Sequence, residues 1–162
     1  MTTELVTIGV YGWQEERFFG ALLEAGVTTF CDLRDRRGVR GSEYAFANST
    51  RLQARLATLG IHYVHCRELG ADKALRTRQQ AADQAARTAK RARMQLSPEF
   101  IAAYRRERLE GFDSRSFVTA LGSEARVVAL FCVEREPAAC HRSLVAERLA
   151  EDLSLRVVHI VP

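Results

Sequence analysis

The sequence predicts an α/β fold built on one mostly parallel, open sheet of about five strands with helices on both faces. Short runs of Val, Ile and Leu alternate along the chain with amphipathic stretches, the pattern of parallel strands joined by crossover helices. The apolar runs are continuous rather than alternating, which indicates strands that are covered on both faces. A chain of 162 residues fits one domain. We therefore expect residues 1–162 to form a single, Rossmann-like three-layer domain.

The pattern assigns strands and helices in alternation. Five short apolar segments are predicted to be strands: 5–10, 27–34, 61–66, 126–133 and 156–161. Three amphipathic segments between them are predicted to be helices: 14–26, 49–60 and 137–153. Glycine closes the first two of these segments, and glycine favours the position just after a helix. Pro137 suits the first turn of the third helix, because an N–H there would have no partner within the helix.

A helical insert is predicted between the third and fourth strands, over residues 71–122. Its first part, a basic helix at 73–93, carries seven lysine or arginine residues against the single acid Asp83. Such an excess of charge is typical of a nucleic-acid-binding surface, and it is also typical of a solvated helix face. Two further amphipathic helices are predicted at 98–109 and 112–121.

Composition limits the class of protein. The net charge is +4, and Lys73 and Lys90 are the only lysines, so nearly all positive charge is arginine. Arginine suits bidentate contacts to phosphate or carboxylate, although a compositional bias of the genome gives the same count. No apolar run reaches the roughly 20 residues of a membrane span, and no secretion signal is recognisable, so we expect a cytoplasmic protein. The cysteines are expected to be free thiols; they are Cys31, Cys66, Cys132 and Cys140.

Polar residues follow the predicted strands where each strand ends. In open α/β sheets, ligands bind outside the carboxyl ends of the strands, so these side chains are expected to converge on one rim. They are Tyr11, Asp32, Arg34, Glu68 and Glu134.

The densest group lies in the segment "VALFCVEREPAACHRSLVAERLA" at 128–150. Cys132 and Glu134 fall on the same side of an extended strand, because side chains alternate with a period of two. Along the following helix, Cys140 and His141 share the apolar stripe that faces the sheet, so they are expected to point inward near the helix N-terminus. Arg142 is expected on the flank of the helix, able to reach over the rim.

Several interpretations of this group are open. Cys140 is either a nucleophile activated by the helix N-terminus and His141, or a small core residue. Cys132, Cys140 and His141 together offer the ligand types of a zinc site. Arg142 with the helix N-terminus is a candidate site for a phosphate or carboxylate, or it forms a surface ion pair with Glu134 or Glu136.

The remaining candidates lie on the other strand ends. Asp32 is a candidate acid and Arg34 a candidate substrate clamp, although these two side chains are equally suited to pairing with each other. The segment "RRGVRGSEY" at 36–44 contains Arg40 between glycines and is predicted to be a mobile substrate flap. Tyr11 and Glu68 are candidates for substrate contact.

The segment "LFCVEREPAACHRSLVAERLA" resembles the signature of the family called domain of unknown function 488: a cysteine–acid pair after a strand, a proline, and Cys-His-Arg-Ser opening a helix. The segments "VTIGVYG", "CDLRDRRGVRG" and "LGIHYVHCRELG" are similar to other parts of that family, so the resemblance covers nearly the whole chain outside the insert. Three residues depart from it. Val10 and Tyr11 stand where the family usually has His-Ser, and Ala71 stands where it usually has a second glycine. The resemblance implies a common pocket formed by Asp32, Arg34, Glu134, Cys140, His141 and Arg142.

The leading hypothesis is a small enzyme, hydrolase- or transferase-like, with a strand-end pocket for a phosphate-bearing or nucleobase-containing anionic substrate. The catalytic candidates are Cys140, His141, Glu134 and Asp32. The substrate-binding candidates are Arg142, Arg34, Tyr11, Arg40 and Glu68. The alternatives are a non-catalytic nucleic-acid-binding module that uses the 73–93 helix, and a metal- or redox-responsive thiol protein; no cofactor is expected apart from zinc in the latter case.

Overall fold

A computed structural model describes residues 3–162 and contains a sheet of five strands in the order β3-β2-β4-β1-β5. The strands are β1 (Glu4–Ile8), β2 (Thr29–Asp32), β3 (His62–His65), β4 (Val127–Phe131) and β5 (Val157–Ile160). Every neighbouring pair in this sheet is parallel. The predicted parallel sheet is therefore confirmed, with strands shorter than the apolar segments because the chain leaves the ladder before each segment ends.

Helices cover both faces of the sheet. They are α1 (Glu15–Glu24), α2 (Ser49–Thr58), α3 (Lys73–Ala85), α4 (Pro98–Tyr104), α5 (Ser114–Leu121) and α6 (His141–Leu153). The last helix starts four residues later than the predicted start at Pro137. Residues Pro137–Ala139 form a short 3₁₀ turn instead, and Cys140 is extended, with φ −137° and ψ 142°, as the residue that precedes α6.

Two hydrophobic cores lie on opposite faces of the sheet, which confirms the three-layer prediction. On one face Phe18 of α1 and Leu52 of α2 pack against the strands, and on the other Phe100 of α4 and Leu144 of α6 do so. Neighbouring residues of one strand enter different cores, as the two-residue period of a strand requires. In β4, for example, Leu130 belongs to one core and Phe131 to the other.

The basic segment is less helical than the sequence predicts. The helix predicted at 73–93 ends at Ala85, and Arg87 adopts a left-handed conformation with φ 53°. A short 3₁₀ turn at Lys90–Ala92 follows, and the prediction of one continuous helix is therefore wrong beyond Ala85. Leu75 and Leu96 anchor the two sides of this irregular stretch in the core on the α6 side.

The topology brings the ends of β2 and β4 together. These strands are neighbours in the sheet, but the chain leaves β2 towards α2 on one face and leaves β4 towards α6 on the other. A crevice forms in open α/β sheets where connections diverge in this way, and ligands bind there. Within residues 3–162, no helix is long and apolar enough to cross a membrane.

Candidate functional site

A cavity of about 540 Å³ opens at the carboxyl ends of β2 and β4. Seven lysine or arginine side chains line it, against three acids. The cations are Arg34, Arg36, Arg40, Arg76, Lys90, Arg91 and Arg93, and the acids are Asp35, Asp83 and Glu134. Its buried lining combines polar side chains, such as Glu134 and His141, with apolar or thiol-bearing ones: Leu96, Phe100, Cys132, Ala139 and Cys140. The cavity therefore carries an excess of positive charge around a buried inner end.

Cys132, Cys140 and His141 form a thiol–imidazole cluster at this inner end. Their ligand atoms all lie within 4.8 Å of one another, and Cys132 Sγ is 3.8 Å from His141 Nδ1. His141 Nε2 lies 3.0 Å from the Leu33 carbonyl oxygen and donates a hydrogen bond to it, which fixes the ring and aims Nδ1 at the sulfurs. The structure thus brings together the three residues that the sequence offers as zinc ligands; zinc binding itself stays a prediction.

The pKa values of the two thiols in the cluster shift in opposite directions. Burial raises the pKa of Cys140, but the hydrogen bond from Cys132, the charge of Arg142 and the contact with His141 outweigh burial, so its pKa lies well below the ordinary value. The hydrogen bond to Cys140, together with burial, raises the pKa of Cys132 well above its ordinary value. Burial lowers the pKa of His141, but the hydrogen bond and charge of Cys140 outweigh it and raise that pKa. Of the two thiols, Cys140 is therefore the one that ionises more readily, beside the Cys132 thiol and the His141 imidazole.

Glu134 lies beside the cluster on the cavity wall and is 7% exposed. Burial and the neighbouring Cys140 raise the pKa of its carboxyl group, against the pull of Lys90 and Arg93. Its Oε1 is 3.1 Å from an Arg93 guanidinium nitrogen and 3.6 Å from Lys90 Nζ. A carboxyl group with a raised pKa next to a reactive thiol is suited to giving and taking protons.

Arg93 is a site residue that sequence reasoning missed. Besides Glu134, it bonds Asp83 at 2.8 Å and the Ala139 carbonyl oxygen at 3.0 Å, and it is largely buried. The sequence shows it only as one of several cations in a basic run, with no signal that separates it from exposed neighbours such as Arg91.

The side chain of Arg142 is buried, and its predicted place on the flank of α6 is wrong. Its side chain is 0% exposed and does not line the cavity. One guanidinium nitrogen donates to the Glu134 carbonyl oxygen at 2.6 Å, and the other donates to the Arg135 carbonyl oxygen at 3.1 Å. The error follows from the helix start: because α6 begins at His141, Arg142 lies in the first turn and its side chain points back to the preceding loop.

Gly9 supports the same loop from the end of β1. A Cβ atom at this position would lie 2.0 Å from the Glu134 carbonyl oxygen and 3.1 Å from an Arg142 guanidinium nitrogen. Since real Cβ atoms do not approach other atoms so closely, only glycine fits between the two. Gly9 and Arg142 together fix the backbone that presents Glu134.

Asp32 and Arg34 are paired with each other and buried. Arg34 donates to both carboxylate oxygens of Asp32, at 2.8 and 2.7 Å, and to the Ala47 carbonyl oxygen at 2.9 Å. The hydroxyl group of Tyr63 also donates to Asp32, at 2.8 Å. Asp32 does not line the cavity, and Arg34 does so with a guanidinium that is already bonded. Neither side chain has the open position that the roles of acid and substrate clamp require.

The structure places the last three candidates, Tyr11, Arg40 and Glu68, in different positions relative to the cavity. Tyr11 and Arg40 line the cavity, whereas Glu68 is exposed and lies outside it. The expectation that Glu68 joins the rim is wrong: it lies in the 3₁₀ turn Arg67–Leu69 with its side chain exposed, whereas Ala71 further along the chain does line the cavity. At the mouth, the Arg91 guanidinium lies over the rings of Tyr11 and Tyr44, 4.7 and 5.3 Å from their centroids. This contact joins the insert to the loop after β2.

A family described as Domain of unknown function DUF488 matches residues 14–149, which include the whole thiol–imidazole cluster. No curated protein and no solved structure matches the chain.

Proposed function

Because the chain belongs to the domain of unknown function DUF488 family, whose description names no reaction, we propose a function from the site: a small enzyme that acts on an anionic substrate through the thiolate of Cys140. One observation carries the proposal. The thiol–imidazole cluster forms the inner end of a cavity whose other walls hold seven cationic side chains. Packing alone requires neither the ionised thiol nor the excess of charge around it.

The residues of the cluster divide the chemistry between them. The Cys140 thiolate attacks the electrophilic atom of the substrate, a bond from sulfur forms, and the bond to the leaving group breaks. The protonated Glu134 gives its proton to the leaving group and then, as a carboxylate, accepts a proton from the water or acceptor that releases the product. His141 and Cys132 hold the thiolate before attack and receive no part of the substrate.

Positive charge around the cavity supports an anionic substrate. Cations that line a cleft raise the local concentration of anions and speed their association, by roughly 10- to 1000-fold at low ionic strength. Guanidinium groups also bind phosphate and carboxylate through paired hydrogen bonds. Arg36 and Arg40 are exposed and, within residues 3–162, form no ion pair with a carboxylate, so they are the cations most available to a ligand.

Alkylation of the native protein by iodoacetamide tests the nucleophile. We expect peptide mapping to find Cys140 modified first at pH 7, and inorganic phosphate to slow this modification. The matched control is Cys31→Ser, which removes a buried thiol outside the cavity and should leave the rate unchanged. Equal modification of wild-type protein and Cys140→Ser would contradict the proposal.

Two alternatives remain predictions with their own tests. Stoichiometric zinc in the purified protein, measured by elemental analysis, would assign both thiols to a metal and contradict the nucleophile. For the nucleic-acid alternative, four cations of the 73–93 segment pair with carboxylates, which reduces the charge available to a polyanion: Arg76, Lys90, Arg91 and Arg93. Binding to single- or double-stranded nucleic acid that weakens steeply with salt would favour that alternative.

A further inference from the structure

We infer that the substrate binds with its anionic group at Arg36 and Arg40 and presents an uncharged electrophilic centre to Cys140. This inference rests on the proposed function and adds the orientation and the chemical class of the substrate. The reacting atom is then separate from the anionic group, and is not the phosphorus or carboxylate carbon of that group itself.

The inner end of the cavity is poorly suited to an anion. Leu96 and Phe100, 6% and 3% exposed, form its wall beside the cluster. The two guanidinium groups nearest the buried wall are already bonded, Arg34 to Asp32 and Arg93 to Asp83 and Glu134. An anionic group placed there would lose its hydration, gain no free cation and face the thiolate. An uncharged, partly apolar group has little hydration to lose, needs no free cation and is not repelled by the thiolate.

The mouth of the cavity is suited to an anion. Arg36 and Arg40 line it, both are exposed, and no carboxylate pairs with either within residues 3–162. The other exposed cations of the mouth already have carboxylate partners: Lys90 pairs with Glu134 and Arg91 with Glu43. The exposed cations of the mouth that have no carboxylate partner among the described residues, Arg36 and Arg40, thus both lie on the loop that follows β2.

That loop is anchored, so its two arginines keep their position over the cavity. The amide of Val39, the residue before Arg40, donates a hydrogen bond to the Asn48 side-chain oxygen at 2.8 Å. Gly41, which follows Arg40, adopts φ 103°, a conformation that turns the chain sharply and that glycine accepts without strain. A cavity of about 540 Å³ below the loop accommodates a substrate the size of a small metabolite.

Methanethiosulfonate reagents test the orientation, because they differ in charge but share one reaction. The thiolate attacks the sulfenyl sulfur, a mixed disulfide forms, and methanesulfinate leaves, so no other oxidant or reductant takes part. The neutral methyl reagent is compared with the sulfonatoethyl reagent, whose anion lies two carbons from the reacting sulfur, and with the cationic trimethylammonioethyl reagent. Intact mass and peptide mapping report the rate at Cys140 in low salt.

We expect the anionic reagent to modify Cys140 about tenfold or more faster than the cationic one in the wild-type protein. In the double variant Arg36→Ala, Arg40→Ala, with a thermal midpoint like that of the wild type, this ratio should fall at least about threefold. The matched control Arg78→Ala removes an exposed cation that does not line the cavity, and it should leave the ratio unchanged.

The experiment distinguishes an error in the proposed function from an error in the orientation of the substrate. If the neutral methyl reagent does not modify Cys140, the reactive thiol and the proposed function are both wrong. If it does, but the double variant keeps the wild-type ratio, the orientation is wrong and the proposed function stands. A preference for the cationic reagent would overturn the inference in the same way.

Discussion

Arg142 holds the loop after β4 from within α6, and replacing it with methionine tests that role. Methionine keeps most of the buried volume but loses both hydrogen bonds, to the carbonyl oxygens of Glu134 at 2.6 Å and Arg135 at 3.1 Å. A hydrogen bond from a charged group contributes about 1.5 to 3 kcal/mol, so the two together contribute about 3 to 6 kcal/mol. Removing a buried charge offsets part of this loss. We expect the free energy of unfolding to fall by about 3 kcal/mol.

Urea unfolding measures this loss, and an unchanged slope against urea concentration shows that the folded state is still compact. The matched control is Arg148→Met, because Arg148 also donates to two carbonyl oxygens but is about one-third exposed. Its substitution should cost roughly 1 kcal/mol, the scale of a partly solvated contact. A loss below about 1 kcal/mol in Arg142→Met would refute the claim that the guanidinium holds the loop.

The same substitution has a second, chemical readout. The charge of Arg142 is one of the causes that lower the pKa of Cys140. Arg142→Met should therefore raise that pKa and slow alkylation of Cys140 near neutral pH, whereas Arg148→Met should not. Substituting Arg142 is therefore expected to change the stability of the protein and the ionisation of Cys140 together.

Three further predictions concern the framework of the site. Gly9→Ala should lower the free energy of unfolding in urea by about 1 to 3 kcal/mol, because the new Cβ would lie 2.0 Å from a carbonyl oxygen. The control Gly20→Ala in α1 should be neutral or stabilising, because its new Cβ meets nothing within 4 Å. Asp72→Ala should cost about 1 kcal/mol by removing the N-cap of α3. The hydrogen bond from the backbone of α3 lowers the pKa of Asp72 in the folded protein, so its contribution should be present above the unfolded pKa of about 4 and disappear as pH falls through the lower folded pKa. Arg91→Ala removes the cation stacked on two tyrosines, so limited proteolysis within 86–97 should become faster while stability falls by less than about 1 kcal/mol.

The sequence was sufficient to predict the sheet and its layers. Alternating apolar and amphipathic segments reflect burial, and burial on both faces of a parallel sheet produces the continuous runs around β1 and β4. The sequence did not predict the order of the strands in the sheet, because the crossover from β3 to β4 through the insert gives no local signal of where β4 enters the sheet. The misplaced Glu68 has a more local cause, the 3₁₀ turn at Arg67–Leu69 that leaves its side chain exposed.

Within the site, the sequence predicted the meeting of Cys132, Cys140 and His141, because strand and helix periods aim them at one end of the sheet. It did not predict the role of Arg142, since that depends on whether α6 starts at Pro137 or His141, and a 3₁₀ turn there has no clear sequence signal. The cations that approach Glu134 were also missed. They come from an irregular segment distant in sequence, and only the folded insert places them there.

The most direct test of the central claim is the rate of Cys140 alkylation by iodoacetamide as a function of pH. Because the pKa of Cys140 is lowered, the thiolate persists below the pH at which an ordinary cysteine is protonated, so the rate constant should stay nearly constant as pH falls through about 8.5. Cys132→Ser serves as a comparison, since it alters the hydrogen bond that helps to hold the thiolate. A rate that instead falls tenfold for each pH unit below about 8.5, as for an ordinary cysteine, would contradict the account.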